Sequence, residues 1–224
     1  MLCLGIAFGC LSISAHAAGG VTASTPNLPA LNGAYVTPAQ AHQLYNAGAL
    51  SIEIINIRHS QFSGSFAPPL NVGDSTAHSF GSLLTGDLII NGGPANPFAA
   101  SAQVTVDVTK ASGANGSPLG MFNTQMTQLD VTGLPGGALI RVDPTSPSLG
   151  QTTISDAGGG MFHIDSFFDI FTDLSLDGGQ TWIPSTGSGH VDLVPAAPEP
   201  SSLPLCTLTI TCVGGLLLRR RTMQ

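Results

Sequence analysis

Cysteine is missing from the whole central part of this chain. Of the four cysteines in 224 residues, Cys3 and Cys10 lie near the start and Cys206 and Cys212 near the end. The 195 residues between Cys10 and Cys206 hold none. An even count suggests paired bridges, but these positions exclude a disulfide framework in the body of the chain. They equally exclude a cysteine nucleophile, a thiolate zinc site and an iron–sulfur cluster there. Stability has to come from an ordinary apolar core, for which this length is sufficient.

Basic residues are almost as scarce. Ahead of a terminal Arg219-Arg220-Arg221, only Arg58, Lys110 and Arg141 carry firm positive charge. Set against 13 acids, these three leave the chain before the arginine cluster at −10. Such a chain offers no patch for phosphates, so nucleic acid is excluded as a partner. Charged residues make up only 8% of the total, and the polar surface falls to Ser, Thr, Asn, Gln and Gly.

Catalytic signatures are absent too. There is no Gly-x-Ser-x-Gly elbow, no His-Glu-x-x-His helix and no phosphate-binding glycine loop. Before the C-terminal tail, Glu53 is the only glutamate. Histidines His42, His59, His78, His163 and His190 are dispersed, with no metal-ligand spacing. The expectation is a protein without catalytic residues, metal or cofactor, and not an enzyme.

What is present stands at the two ends. Leu203–Leu218 is a mostly apolar run of 16 residues, about 24 Å long as a helix. It is somewhat short of a hydrocarbon core of roughly 30 Å, so spanning it needs local thinning or arginine snorkelling. Thr207, Thr209 and Thr211 can bond back to helix carbonyls and do not forbid insertion. Arg219, Arg220 and Arg221 place the end in the cytoplasm by the positive-inside rule. At the front, Leu2–Ile13 is apolar, and Ala15-His16-Ala17 before Ala18 has the small-x-small form that signal peptidase cuts. No base precedes that run, so the true start is expected upstream of Met1.

Pro198-Glu199-Pro200, the apolar run and Arg219–Arg221 together resemble the PEP-CTERM sorting signal of exported bacterial proteins. The resemblance implies recognition by an exosortase, a membrane-embedded protease that removes the anchor. It also implies association with bacteria that make extracellular polysaccharide and biofilm. The signal covers about an eighth of the chain and bears on route, not on activity.

The body reads as all-β, with short runs rich in Val, Ile, Thr and Phe between Gly- and Pro-rich turns. Strands are expected at 50–58, 76–80, 81–91, 103–110, 120–131, 138–143, 151–155, 161–176, 180–183 and 190–194. Eight to ten strands at this spacing predict an antiparallel β-sandwich or a jelly-roll-like double sheet. One short N-terminal helix is expected: Thr37 as N-cap, Pro38 first, Ala39–Ala47, then Gly48 as stop. A C-terminal transmembrane helix completes the fold class. The expected organisation is a signal peptide (1–17), a flexible segment (18–36), the β-domain (37–194), a linker (195–202), the membrane helix (203–218) and a basic tail (219–224).

Met161–Asp177 tests the strand reading. From Phe162 the even positions are mostly apolar, whereas His163, Asp165, Asp169, Asp173 and Asp177 alternate with them, with Phe167 and Phe171 as exceptions. A helix would stack three aspartates at i, i+4, i+8, so the segment is expected as a strand, or two strands broken by a bulge. In a strand, residues four apart are separated by about 13 Å, so successive aspartates cannot share a calcium ion. The row is expected to be a solvated acidic face.

Ser175-Leu176-Asp177-Gly178-Gly179-Gln180-Thr181-Trp182 matches Ser-x-Asp-x-Gly-x-Thr-Trp and resembles the Asp-box hairpin of sialidase-type propellers. There the motif is structural. Accordingly Ser175, Asp177, Gly179, Thr181 and Trp182 are assigned to a hairpin: Asp177 caps turn amides, and Trp182 packs across it. One copy does not make a propeller. Asp87–Gly93 echoes Asp173–Gly179 at the same internal spacing, which suggests related hairpins in two halves.

These readings converge on an exported protein, briefly anchored in the inner membrane and then released or held at the cell surface. Its expected role is structural or adhesive, associated with extracellular polysaccharide. The alternative is a carbohydrate-binding module in which Trp182 or Tyr45 stacks on a sugar, and the least favoured is a secreted hydrolase.

Overall fold

The computed structural model describes residues 19–39 and 41–196. Ala15, Ala17 and Ala18, the Pro-Glu-Pro motif, the apolar run and the arginine cluster lie outside them. Within the described residues the chain is all-β, with thirteen strands. They are β1 (Val21–Ala23), β2 (Gly33–Val36), β3 (His42–Ala47), β4 (Leu50–Ser60), β5 (Ser75–Ile90), β6 (Asn96–Ser112) and β7 (Gly120–Thr132). Then come β8 (Leu139–Val142), β9 (Ser148–Gly158), β10 (Met161–Ile170), β11 (Thr172–Ser175), β12 (Ile183–Pro184) and β13 (Gly189–Pro195). No helix among these residues is long and apolar enough to cross a membrane.

All thirteen strands form one antiparallel sheet that closes on itself. Around the ring the order is β2, β4, β5, β6, β7, β9, β10, β13 and back to β2. The expected double sheet of a sandwich is therefore a barrel. The reason is β9, which pairs with β10 on one side and β7 on the other. A sandwich would leave free edges at those strands, and closure removes them.

A second tier continues the same barrel. Beside β4, β3 takes over from β2, and beside β7, β8 takes over from β9. There β11 pairs with β8 and β12. Tyr45 bridges Ser185, and the Thr186 amide donates to the Leu44 carbonyl, which joins β12 to β3. The long strands β4–β7 run through both tiers, whereas the other positions are filled by two shorter strands each. β1 lies outside this scheme, pairing with β10 beyond the reach of β13.

Irregularities mark the level where the tiers meet. In β4 the register shifts between Ile55 and Arg58, and Asn56 has φ +54°. That extra residue moves the inward positions from Ile52 and Ile54 to Ile57 and His59. In β7 the inward set changes likewise from Met126 to Leu129, at the irregularity opposite Thr105 and Val106. The Met161–Leu176 segment divides at Phe171, whose amide and carbonyl both bond the Ser148 hydroxyl.

The helix expected over Thr37–Gly48 is not present. His42–Ala47 is β3, paired along its whole length with β4. Gln43 and Tyr45 alternate into the core at 6% and 1% exposure, a period-two burial that overrides local helix propensity. Gly48, read as a helix stop, instead turns the β3–β4 hairpin at φ +62°. Smaller corrections follow the same logic. The strands expected at 76–80 and 81–91 are one strand, β5. Of the strand expected at 180–183, only Ile183 is ladder-paired, in β12. The echo at Asp87–Gly93 does end in a comparable glycine turn, but β5 is 16 residues long and β11 only 4, so the halves do not repeat.

One inward position breaks the apolar pattern at the barrel end. Lys110 on β6 is 1% exposed. Its Nζ donates to the carbonyls of Leu70 (2.8 Å), Ala114 (2.7 Å) and Ser117 (2.6 Å). Three donors thus meet three acceptors, and two end loops are tied to one strand. Lys110→Met keeps the stem but strands those carbonyls, and it is expected to cost about 3–5 kcal/mol. Urea unfolding checks this; an unchanged midpoint would show that the carbonyls do not depend on the ammonium.

Candidate functional site

Three groups of side chains have the chemistry to act, and each is positioned by the closure just described. The first is the turn after β11. The Ser175 hydroxyl donates to Asp177 Oδ1 and accepts the Gly179 amide. Asp177 Oδ1 also accepts the amides of Gln180 (3.0 Å) and Thr181 (2.9 Å), and Oδ2 accepts the Thr181 hydroxyl (2.6 Å). Gly178 and Gly179 take φ of +73° and +92°, which only glycine accepts cheaply. Donation from the Thr181 side chain and backbone and from Ser175 holds the Asp177 carboxyl down at about 2. The side-chain polar atoms of Ser175, Asp177, Thr181 and Trp182 are all hydrogen-bonded inside the turn.

Trp182 completes that turn. Its indole N–H donates to the Gly179 carbonyl at 3.1 Å, and the Arg141 guanidinium lies 4.1 Å from the ring centroid. Arg141 in turn donates through Nε and a terminal nitrogen to one oxygen of Asp173, at 3.1 and 2.9 Å. Arg141 and Asp173 are direct cross-strand partners of β8 and β11. Asp173 is therefore not part of a solvated acidic face: it is 5% exposed and paired. One face of Trp182 is occupied by Arg141, so a sugar has at most the other. Tyr45 offers no platform at all, because it is 1% exposed and bonds Gln43 and Thr172.

The second group lies outside the barrel on β10 and β13. His190 Nδ1 is 2.8 Å from Asp169, and its Nε2 is 3.1 Å from Asp192. Phe167 stacks on the imidazole at 5.6 Å. Phe167, an exception to the apolar-in alternation, thus has an outward partner. Burial opposes the charged ring most strongly of the single influences. The two carboxylates together outweigh it and raise the His190 pKa. Among the described residues, no set of three His, Cys, Asp or Glu side chains is placed to hold a metal ion.

The third group is inside. Tyr35 donates to Ser166 at 3.0 Å, and Ser166 pairs with Thr152 at 2.8 Å. His59 Nδ1 pairs with Ser82 at 3.2 Å. Burial pushes the Tyr35 hydroxyl up to about 12 and the His59 ring down to about 4. His78 is lowered too, burial outweighing the neighbouring Ala67 backbone. Tyr35, His59, His78 and Thr152 line a cavity of about 40 Å³ in the upper ring, the tier closed by β2, β9, β10 and β13. Sequence reasoning missed it, because His59 faces inward only after the Asn56 bulge. The one available signal was His78 two residues before inward Phe80 in an alternating strand.

Compared with protein families, with characterised proteins and with solved structures, the chain finds no match. The five motif residues Ser175, Asp177, Gly179, Thr181 and Trp182 are brought together, whereas the histidines are not. His59 and His78 share the interior, His190 sits with two aspartates, and His42 faces Glu53 at 3.3 Å.

The pH dependence of stability follows from these shifts. For His59 the folded pKa lies below the unfolded 6.5, so its contribution is complete above pH 6.5. It is lost as pH falls toward 4, by about 3 kcal/mol. His190 has the opposite sign: its contribution is complete below pH 6.5 and lost as pH rises through its elevated pKa. Asp177 adds a further loss as pH falls from 3.8 through about 2. Thermal unfolding from pH 8 to 2 should show a steep acid limb between 6.5 and 4 that His59→Leu flattens. An equally steep limb in the variant would assign it to other groups.

Proposed function

We propose that this is an exported, non-enzymatic β-barrel with a structural or adhesive role at the cell surface or in the extracellular matrix, in association with extracellular polysaccharide. The observation that carries the reading is the tail: Pro198-Glu199-Pro200 follows three residues after Pro195, the last residue of β13. In this reading the signal peptide is removed after Ala17, and an exosortase-type protease releases the barrel from its anchor near Pro198–Pro200. No membrane segment has to pass through the barrel, because β13 closes against β2 and β10 just before the tail.

The outer face supports the same role. Ser79, Thr105 and Gln128 form a hydroxyl–amide ladder across β5, β6 and β7, at 2.9 and 3.0 Å, and Gln128 donates to Asp130 at 2.6 Å. Thr109 and Ser75 form a second such pair two same-face positions away, at 3.0 Å. Neutral, preorganised donors and acceptors suit glycan hydroxyls, and a net-acidic chain with little basic charge does not suit polyanions. With Tyr45 buried and Trp182 half covered, this ladder is a better glycan contact than an aromatic platform.

Two measurements test the proposal. Mass spectrometry of the exported protein should give an N-terminus at Ala18 and a C-terminus near Pro200; a released form still carrying Arg219–Arg221 would sink the processing step. Thr105→Val with Gln128→Leu should reduce co-sedimentation with matrix polysaccharide several-fold while the melting temperature stays within about 2 °C, as expected for surface substitutions. Retention equal to the parent chain would remove the polysaccharide role from this face.

A further inference from the structure

We propose that the upper ring encloses a binding chamber for a small, uncharged, hydroxylic occupant, held by His78 and Thr124. The chamber is the barrel lumen itself, since all eight strand positions of that ring contribute to its wall. Most of the wall is apolar, built from residues such as Phe80, Val104, Val106 and Phe168. Two side chains of that wall carry polar atoms that meet the geometry of no hydrogen bond among the described residues: Nδ1 and Nε2 of His78, whose ring the Ala67 backbone approaches, and Oγ1 of Thr124. His78 is 1% exposed and Thr124 4%.

A polar atom buried without a partner carries a desolvation cost of the order of 1–3 kcal/mol. Two side chains that bring such atoms to the wall of one space define what the space accepts. Neutral imidazole presents one donor and one acceptor, and a threonine hydroxyl presents both. The complement is a group that also donates and accepts, which is a hydroxyl. Charge is excluded by the phenylalanine and valine walls, which would leave an ion unsolvated. Size is set by the 40 Å³ volume. At about 10–15 Å³ per water, that is room for roughly three waters or one short alcohol.

The neighbouring surface supplies a cover for this site. Phe66, on the loop between β4 and β5, lies 5.3 Å from the His78 ring and is itself 37% exposed. Its backbone is pinned by paired hydrogen bonds to Leu28, both 2.8 Å, and Leu28 is part of the chamber wall. The Phe66 ring and the Ala67 backbone of this tethered loop thus both lie against His78.

The test uses the exported protein and its Thr124→Val variant, which keeps shape and removes the hydroxyl. If Thr124 holds an occupant, the variant melts about 2–4 °C lower; an unchanged or higher melting temperature overturns the proposal. Methyl NMR on Val104 and Val106 gives a readout that needs no variant. Water-to-methyl cross-peaks identify water as the occupant. Shifts that saturate with added ethanol and erase those cross-peaks identify an alcohol. Xenon-induced shifts at the same methyls without water cross-peaks would show a dry apolar void and overturn the site.

Discussion

Closure of the sheet at β9 is the constraint on which the rest depends. With β9 paired to both β7 and β10, each inward side chain of the upper ring looks into one shared lumen. Neighbouring strands then no longer choose their faces independently. A one-residue slip anywhere would push an outward polar set into that space. Closure also satisfies the backbone groups that an open edge would expose, which matters in a chain with no cysteine between residues 10 and 206 to pin its edges.

A barrel eight strands round is just wide enough to be filled by side chains, so its ends and its waist need separate solutions. At the waist the solution is a ring of irregularities. The Asn56 bulge, the break at Phe171 and the shift from Met126 to Leu129 let four long strands serve two tiers with different partners. At one end the solution is Lys110. An inward lysine would ordinarily cost several kcal/mol as an unpaired charge. Here its three N–H groups gather carbonyls from the loops at 70 and 114–117, and the plug binds both loops to the barrel.

Much of this was legible in the chain, and the failures share a cause. Alternation located the long strands, and the two misplaced phenylalanines foretold trouble in 161–176. Phe171 is the break itself, and Phe167 turned outward to His190. The Ser175–Trp182 pattern was legible because its side-chain hydrogen bonds all close within eight residues. Non-local pairing was not. Tyr45 and Gln43 are buried because β4 and Thr172 receive them, and no local propensity reports that. The inward turn of His59 needs the bulge three residues before it. Lys110 could not be foreseen, since its acceptors are backbone carbonyls that carry no side-chain signature. Asp173 read as solvated because Arg141 is 32 residues away in sequence.

The distribution of polarity inside and outside then becomes one argument. Outside, hydroxyls and amides are paired in ladders and many acids have local partners, such as Asp169 and Asp192 with His190, Asp130 with Gln128 and Asp87 with Asn56. Inside, every titratable group other than the plugging lysine is one that burial keeps neutral: Tyr35, Tyr45, His59 and His78. Neutrality is what allows polar groups to share a lumen with phenylalanine and valine, because a charge there would have no counter-ion within reach. It follows that the interior is tuned for near-neutral surroundings, where both histidines remain uncharged. It follows too that the chamber beside His78 selects by hydrogen-bonding capacity and size, with charge acting only as a ground for exclusion.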